Sequence, residues 1–243
     1  MNADIQPVKP LQRAVLTVAF MVGLMALYLL VGWLRVVVLR MEGQEAFVFP
    51  SIIDDWIPFS LAWLPLYIFM LPMSWAPACT FVDRRSLKRW VLSVILMYLV
   101  AVPIWLLMPV TVPRESVAVT GYWTFVLDIL RSVDPPVNCL PSMHVAVATL
   151  AGLLIRRADA LVGNVFLALI PFIWYSTMAL DQHWFVDGLV GMVLAVTVER
   201  VTHSWMKLPP EAQATLNRKA HLAWIGPYLV ALLVVWVLWL QRG

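Results

Sequence analysis

Two of the four histidines in this 243-residue chain stand where an apolar run begins. His144 closes Pro141-Ser142-Met143-His144, and His183 closes Asp181-Gln182-His183. An imidazole is expensive in hydrocarbon, so an ionisable group at membrane depth points to function by default. Each histidine alone is equally consistent with an interfacial residue facing water. Asp187 adds a spacing: it follows His183 by four residues, so on a helix the two share a face and the carboxylate can accept the imidazole N–H. That pairing fixes the tautomer and leaves the other ring nitrogen able to attack an electrophile. The competing reading of Asp187 is a counter-ion for a nearby arginine.

Pro141 and Ser142 are residue types that begin helices. The unpaired amides of a helix N-terminus point toward bound anions, phosphate among them. Ser142 alone reads equally as a plain cap. Next to His144, and with a His/Asp pair at another helix start, it suggests an anion cradle holding two histidines, one nucleophile and one general acid.

Elements must bring these residues together, and the composition says which kind. Apolar residues make up 62% of the chain, charged residues 13%, and mean hydropathy is +0.85. Soluble domains carry about 25% charged residues, so an ordinary soluble globule, a disordered chain and a disulfide scaffold are excluded. An all-α integral membrane protein remains. Apolar runs at 14–36, 56–81, 90–110, 143–155, 160–180, 184–202 and 222–240 predict about seven transmembrane helices, the fourth of them short. No repeat or linker divides the chain, so residues 1–243 are expected to form one membrane domain. Gly121 to Val133 is apolar but too short to cross, and reads as an amphipathic interfacial helix roofing the site. Pro58, Pro65, Pro72, Pro77 and Pro103 offer kinks that open a lipid-sized gap, or simple packing adaptation.

Charge sorting sets the orientation. Twelve of the 17 basic residues fall in the N-terminal tail and in the second, fourth and sixth connections, which places the N-terminus in the cytoplasm and the odd connections outside. The stretch from Ala14 reads as a retained first span rather than a signal peptide. Short basic clusters between apolar runs mark topology, not nucleic-acid binding. Cys79 and Cys139 are expected near opposite faces, with no disulfide between them. His144, His183 and Asp187 converge on the outer face, with Arg114 nearby.

Pro141-Ser142-Met143-His144, with Ser176-Thr177-Met178-Ala179-Leu180-Asp181-Gln182-His183-Trp184-Phe185-Val186-Asp187, resembles the second and third signature motifs of the type 2 phosphatidic acid phosphatase superfamily. Those motifs read Pro-Ser-x-His and Ser-Arg-x5-His-x3-Asp. The resemblance covers roughly residues 109–191 and implies a six-helix lipid phosphatase-type core, with 222–240 as an extra C-terminal helix. It implies His183 as the nucleophile that becomes a phosphohistidine, Asp187 as its orienter, His144 as the acid and Ser142 as a phosphate ligand. No metal or cofactor is implied.

Two departures bear on the substrate. Thr177 stands where the third motif has arginine, and the first motif, Lys-x6-Arg-Pro, has no good match; its nearest basic candidate is Arg114. A doubly charged monoester calls for such cations, so their scarcity tilts the reading to a phosphodiester lipid. The same departures, with Pro-x3-Pro-Arg and Asn-Cys-x-Pro-Ser-x-His, resemble the inositol phosphorylceramide synthase and sphingomyelin synthase-like branch. Members of that branch move a phosphorylated head group between lipids. Arg114 would then bind phosphate, or else anchor the interface; Arg131 and Asn138 are weaker candidates of the same kind, and Asp181 and Gln182 lie close enough to touch a head group. The expected partners are a membrane phospholipid, a lipid or water acceptor and the bilayer, with no nucleic acid. The expected location is a bacterial inner membrane with the site facing the periplasm. A lipid phosphate monoesterase is the alternative within the same chemistry, and a non-catalytic lipid transporter or scaffold the alternative outside it.

Overall fold

The computed structural model describes residues 8–81 and 83–206. They form α1 (Pro10–Glu42), α2 (Leu64–Thr80), α3 (Arg84–Leu107), α4 (Tyr122–Val133), α5 (Met143–Ala158), α6 (Ala160–Ala179) and α7 (Phe185–Trp205), with two single 3₁₀ turns before α2. Six of the seven expected spans are therefore helices, and the seventh, 222–240, lies outside the described residues. Among the described residues four stretches are long and apolar enough to cross a membrane: Leu11–Glu42, Leu61–Thr80, Arg84–Leu107 and Ala160–Ala179. The chain is an all-helical integral membrane protein. Of the expected spans, α5, which the sequence already marks as short, and α7 are not among these four. With 16 residues, α5 is about 24 Å long, short of the roughly 30 Å hydrocarbon core, and α7 carries Asp187, Glu199 and Arg200. These two helices bear the histidine motifs and pack within the protein.

Helix ends follow the residues available to cap them. The Asp83 carboxylate accepts from the Ser86 amide at 2.7 Å, opening α3. Ser142 caps α5 through the Val145 amide at 3.4 Å. Asp159 caps α6 through the Leu161 and Val162 amides, and it is also the single residue between α5 and α6. So short a connection forces an antiparallel pair, and Gly163 lets it close: a Cβ there would lie 2.2 Å from the Arg156 Cα.

The helix at the centre is α5. One side of it, Ala146, Leu150 and Leu154, packs with Trp90, Met97 and Trp105 of α3 and with Ala195 and Val198 of α7. The other side, Val145, Ala148 and Ile155, packs with α2 and α6 around Phe69, Met73, Phe166 and Ile173. A helix that is apolar all round is expected to be buried. The expected interfacial helix is α4; its buried residue, Leu127, packs on Leu64, Tyr67 and Leu180, so α4 covers the ends of α2 and α6.

Basic residues gather at the end of the bundle away from the histidines. There the Arg13 guanidinium donates to the Phe81 carbonyl at 2.9 Å. Arg89 of α3 pairs with Glu199 of α7 at 2.6 Å, and Arg157 reaches the same carboxylate oxygen at 3.1 Å. The Arg89 and Glu199 side chains are only 3% and 5% exposed, so neither charge has water to fall back on. Removing one partner of such a pair leaves a buried charge uncompensated. Glu199→Ala is therefore expected to destabilise the fold by about 3–5 kcal/mol, read as a lower unfolding midpoint of the purified protein in detergent. An unchanged midpoint would show the pair to be dispensable.

Candidate active site

At the other end of the bundle, connections are stitched into a small platform. Phe47, Val110 and Asn138 form successive parallel bridges; the Phe47 amide donates to the Pro109 carbonyl at 2.8 Å and the Cys139 amide to the Val110 carbonyl at 3.3 Å. These bonds fix the backbone of the segment that leads into Ser142. The turn between α6 and α7 is fixed as firmly. Amides of Gln182 and His183 both donate to the Thr177 carbonyl, and Asp181 takes the left-handed conformation, φ 53°. The Phe185 amide donates to Asp54 Oδ1 at 2.7 Å and the Trp184 amide to Asp187 Oδ2 at 2.8 Å, so protein carboxylates occupy the start of α7.

The starts of α5 and α7 touch through their backbones. The Ser142 amide donates to the Asp187 carbonyl at 3.0 Å. Gly191, one turn further along α7, makes this approach possible, because a Cβ there would sit 2.4 Å from the Ser142 carbonyl oxygen.

The contact brings His144 Nδ1 to 2.9 Å from His183 Nε2. His183 Nδ1 lies 3.0 Å from the Cys139 carbonyl oxygen, and His144 Nε2 lies 2.9 Å from the Tyr67 hydroxyl. A carbonyl can only accept, so for neutral rings the chain of bonds has one direction. His183 Nδ1–H donates to Cys139, His144 Nδ1–H donates to His183 Nε2, and the Tyr67 hydroxyl donates to His144 Nε2. A lone pair on His183 Nε2 thus faces a proton on His144 Nδ1, the arrangement that a nucleophile and a general acid need.

Asp187 is fully buried and His183 is 4% exposed. The carboxylate lies 3.5 Å from His183 Nδ1, so the ring N–H expected to bond Asp187 goes instead to the Cys139 carbonyl, with Asp187 as a close charged neighbour. Asp187 Oδ1 meets no donor among the described residues. A buried carboxylate in that state favours positive charge on the adjacent imidazole, which is the charge the ring acquires on bonding to phosphorus. Cys139, His183 and Asp187 also form a set of metal-type donors within 4.8 Å of one another. The thiol is its weak member: burial pushes the Cys139 pKa well up, and the Asp187 and Asp134 charges push it further. A protonated thiol is a poor ligand.

Other residues singled out from the sequence sit around this centre. Among the described residues no acceptor occupies the amides of Met143 and His144 at the start of α5, where Ser142 is buried. Arg114 donates to Asp134 Oδ2 at 2.7 Å and to Gln182 Oε1 at 3.3 Å, beside His183. Arg131 pairs with Asp181 at 3.1 Å and donates to the Leu180 and Glu115 carbonyls, fastening α4 to the α6–α7 turn. The Asn138 amide donates to the Tyr28 carbonyl of α1 at 3.1 Å, away from the histidines. Thr177, at the arginine position of the third motif, is buried and bonds the Trp174 carbonyl of its own helix at 2.7 Å.

A cleft of ≈ 80 Å³ between α1, α2, α3 and α5 ends at His144, and Met21, Met25, Met70 and Met143 are among its lining. Tyr67 and the Cys139 carbonyl were not foreseen from the sequence. The carbonyl leaves no trace in residue types. Tyr67 does leave one, since a phenol inside an apolar span needs a partner for its hydroxyl.

Residues 51–200 match the PAP2 superfamily, a stretch that holds both histidine motifs. Over 65 residues the chain is 34% identical to the inositol phosphorylceramide synthase catalytic subunit AUR1 of Saccharomyces cerevisiae, which covers 27% of this chain and 16% of that protein. The chain thus matches well under two thirds of that relative's length. No solved structure gives a significant match. Since the superfamily match spans more than half of its length, the chain belongs to the PAP2 superfamily.

Proposed function

We propose that the protein cleaves a P–O bond of a membrane phospholipid through a phosphohistidine on His183, with a phosphodiester lipid as the donor. Superfamily membership supports a lipid phosphatase or phosphotransferase in coarse terms. The observation that carries the finer reading is the 2.9 Å contact between His144 Nδ1 and His183 Nε2, with His183 Nδ1 held by the Cys139 carbonyl. In the first step His183 Nε2 attacks phosphorus as the phosphoryl group enters between the rings. The bond to the departing lipid oxygen breaks, and His144, which takes a second proton on Nε2 as the anionic lipid binds and turns that N–H to the Tyr67 oxygen, gives its Nδ1 proton to the departing oxygen and is left a neutral ring. In the second step a hydroxyl, from water or from an acceptor lipid, gives its proton to His144 Nδ1 while its oxygen attacks phosphorus and frees His183.

Asp187 orients His183 and stabilises its positive charge. The open amides of Met143 and His144, together with Ser142 and Arg114, stabilise the equatorial oxygens, the main electrostatic requirement of phosphoryl transfer. Arg114 and Arg131 already face Asp134 and Asp181, and position 177 supplies no cation. So little uncompensated positive charge suits the single negative charge of a diester. The apolar cleft ending at His144 suits a substrate that arrives from the bilayer. This reading takes residues 1–243 as one membrane domain of a bacterial inner membrane, with the N-terminus in the cytoplasm and the histidines facing the periplasm. It needs no metal.

Supplied separately with phosphatidic acid and with phosphodiester lipids, the purified protein is expected to release a phosphorylated head group, or make a new lipid, from the diesters. Inorganic phosphate from phosphatidic acid alone would make it a monoesterase. His183→Ala is expected to abolish turnover and any acid-labile phosphoenzyme; unchanged turnover would move the nucleophile elsewhere, and no turnover by the unaltered protein on any lipid would leave the transporter or scaffold reading. Tyr67→Phe keeps the ring and removes the hydroxyl from His144, so kcat is expected to fall about tenfold, one hydrogen bond's worth, with KM little changed. A shift confined to KM would give Tyr67 a substrate-binding role instead. Activity is expected to survive excess EDTA; loss restored by a divalent ion would make Cys139, His183 and Asp187 metal ligands.

A further inference from the structure

A sizeable cavity lies at the end of the bundle away from the histidines. It is a groove of ≈ 590 Å³ between the first turns of α1 and the first half of α3. That volume falls within the about 300–1,000 Å³ of ordinary ligand sites. Lys9 and Arg13 enter it from the α1 side, Arg84 and Lys88 from α3. No acidic side chain lines it among the described residues, since Asp83 is buried and caps α3 through the Ser86 amide. Arg13 is preorganised by its bond to the Phe81 carbonyl.

Charge sorting explains why cations lie at this end of the helices. It does not explain why four of them, from two helices, converge on one concave surface. The groove also changes character along its length. Past the cations its walls are apolar and include Leu16 of α1 and Ile95 of α3, both exposed. A free anion would fill only the cationic part, and an uncharged lipid only the apolar part. The complementary ligand has a negative head and hydrocarbon tails. We propose that this groove binds an anionic phospholipid of the leaflet that borders this end of the bundle, at a site separate from the histidines. The phosphate would lie among Lys9, Arg13, Arg84 and Lys88, with the acyl chains running along Leu16 and Ile95.

The test is native mass spectrometry of the full-length protein in detergent, titrated with phosphatidylglycerol and, separately, with phosphatidylcholine. The unaltered protein is expected to retain phosphatidylglycerol in preference. In R84Q/K88Q that retention should weaken about 30-fold, at about fivefold per cation near a lipid surface. L16W/I95W keeps every charge but fills the apolar walls, and should lose phosphatidylglycerol as well. Both variants should keep the unfolding midpoint of the parent in detergent alone, which separates lost binding from lost folding. Retention by the wall variant at the parent's level would overturn the site in favour of diffuse surface attraction. Equal retention of phosphatidylcholine, or displacement of the lipid by inorganic phosphate, would overturn it too.

Discussion

The active-site end of this protein depends on one backbone contact, the Ser142 amide on the Asp187 carbonyl at 3.0 Å. It joins the first residues of two helices that are far apart in sequence, and each carries a histidine one or two residues beyond or a few before the contact. Once the helix starts touch, the rings have little choice but to meet. Gly191 is the steric condition, because any side chain there would collide with the Ser142 carbonyl. The contact is made where α5 is at its most enclosed, with α2, α3, α6 and α7 packed around it. Rigid packing of this kind is what holds reacting groups to within a fraction of an ångström.

Several charged side chains among the described residues are answered close by. Acidic residues answer basic ones locally: Asp134 answers Arg114, Asp181 answers Arg131 and Glu199 answers Arg89. Two of these pairs are struts as well. The first ties the segment after α4 to the loop before it, and through Tyr28 on Asp134 Oδ1 to α1; the second ties α4 to the α6–α7 turn. Hydrogen-bonded ion pairs suit such connections because leaving either partner unpaired in a dry setting is expensive.

Much of this was legible in the sequence, and the reasons are physical. Proline and serine before His144 marked Ser142 and the start of α5, since capping is a local interaction. The spacing of four between His183 and Asp187 predicted a shared helical face; the two do lie close, but His183 precedes α7 in the turn and only Asp187 is on the helix. The run from Gly121 to Val133 gave α4, since amphipathic period and length are both local properties. Illegible features are the ones that belong to the tertiary structure. The Cys139 carbonyl orients His183 more closely than Asp187 does, yet a backbone acceptor has no residue code. That Asp134 and Asp181 face Arg114 and Arg131 is likewise a tertiary feature that residue types do not show. The brevity of α5 looked like a weak span, when it reflects a helix surrounded by protein rather than by lipid.

The closed hydrogen bond between the histidines also bears on the acceptor. With His183 4% exposed and the approach to His144 lined largely by apolar side chains, bulk water has poor access to the lone pair on Nε2. While the rings are bonded to each other, the nucleophile's lone pair is occupied by the proton that the departing oxygen would later take. Only a phosphoryl group able to take both ends of that bond, lone pair and proton, separates them. A phosphohistidine formed on the proposed route would inherit the same surroundings. Its phosphorus would lie beside the largely apolar lining of the cleft at His144, so the same exclusion of bulk water would govern which hydroxyl reaches it.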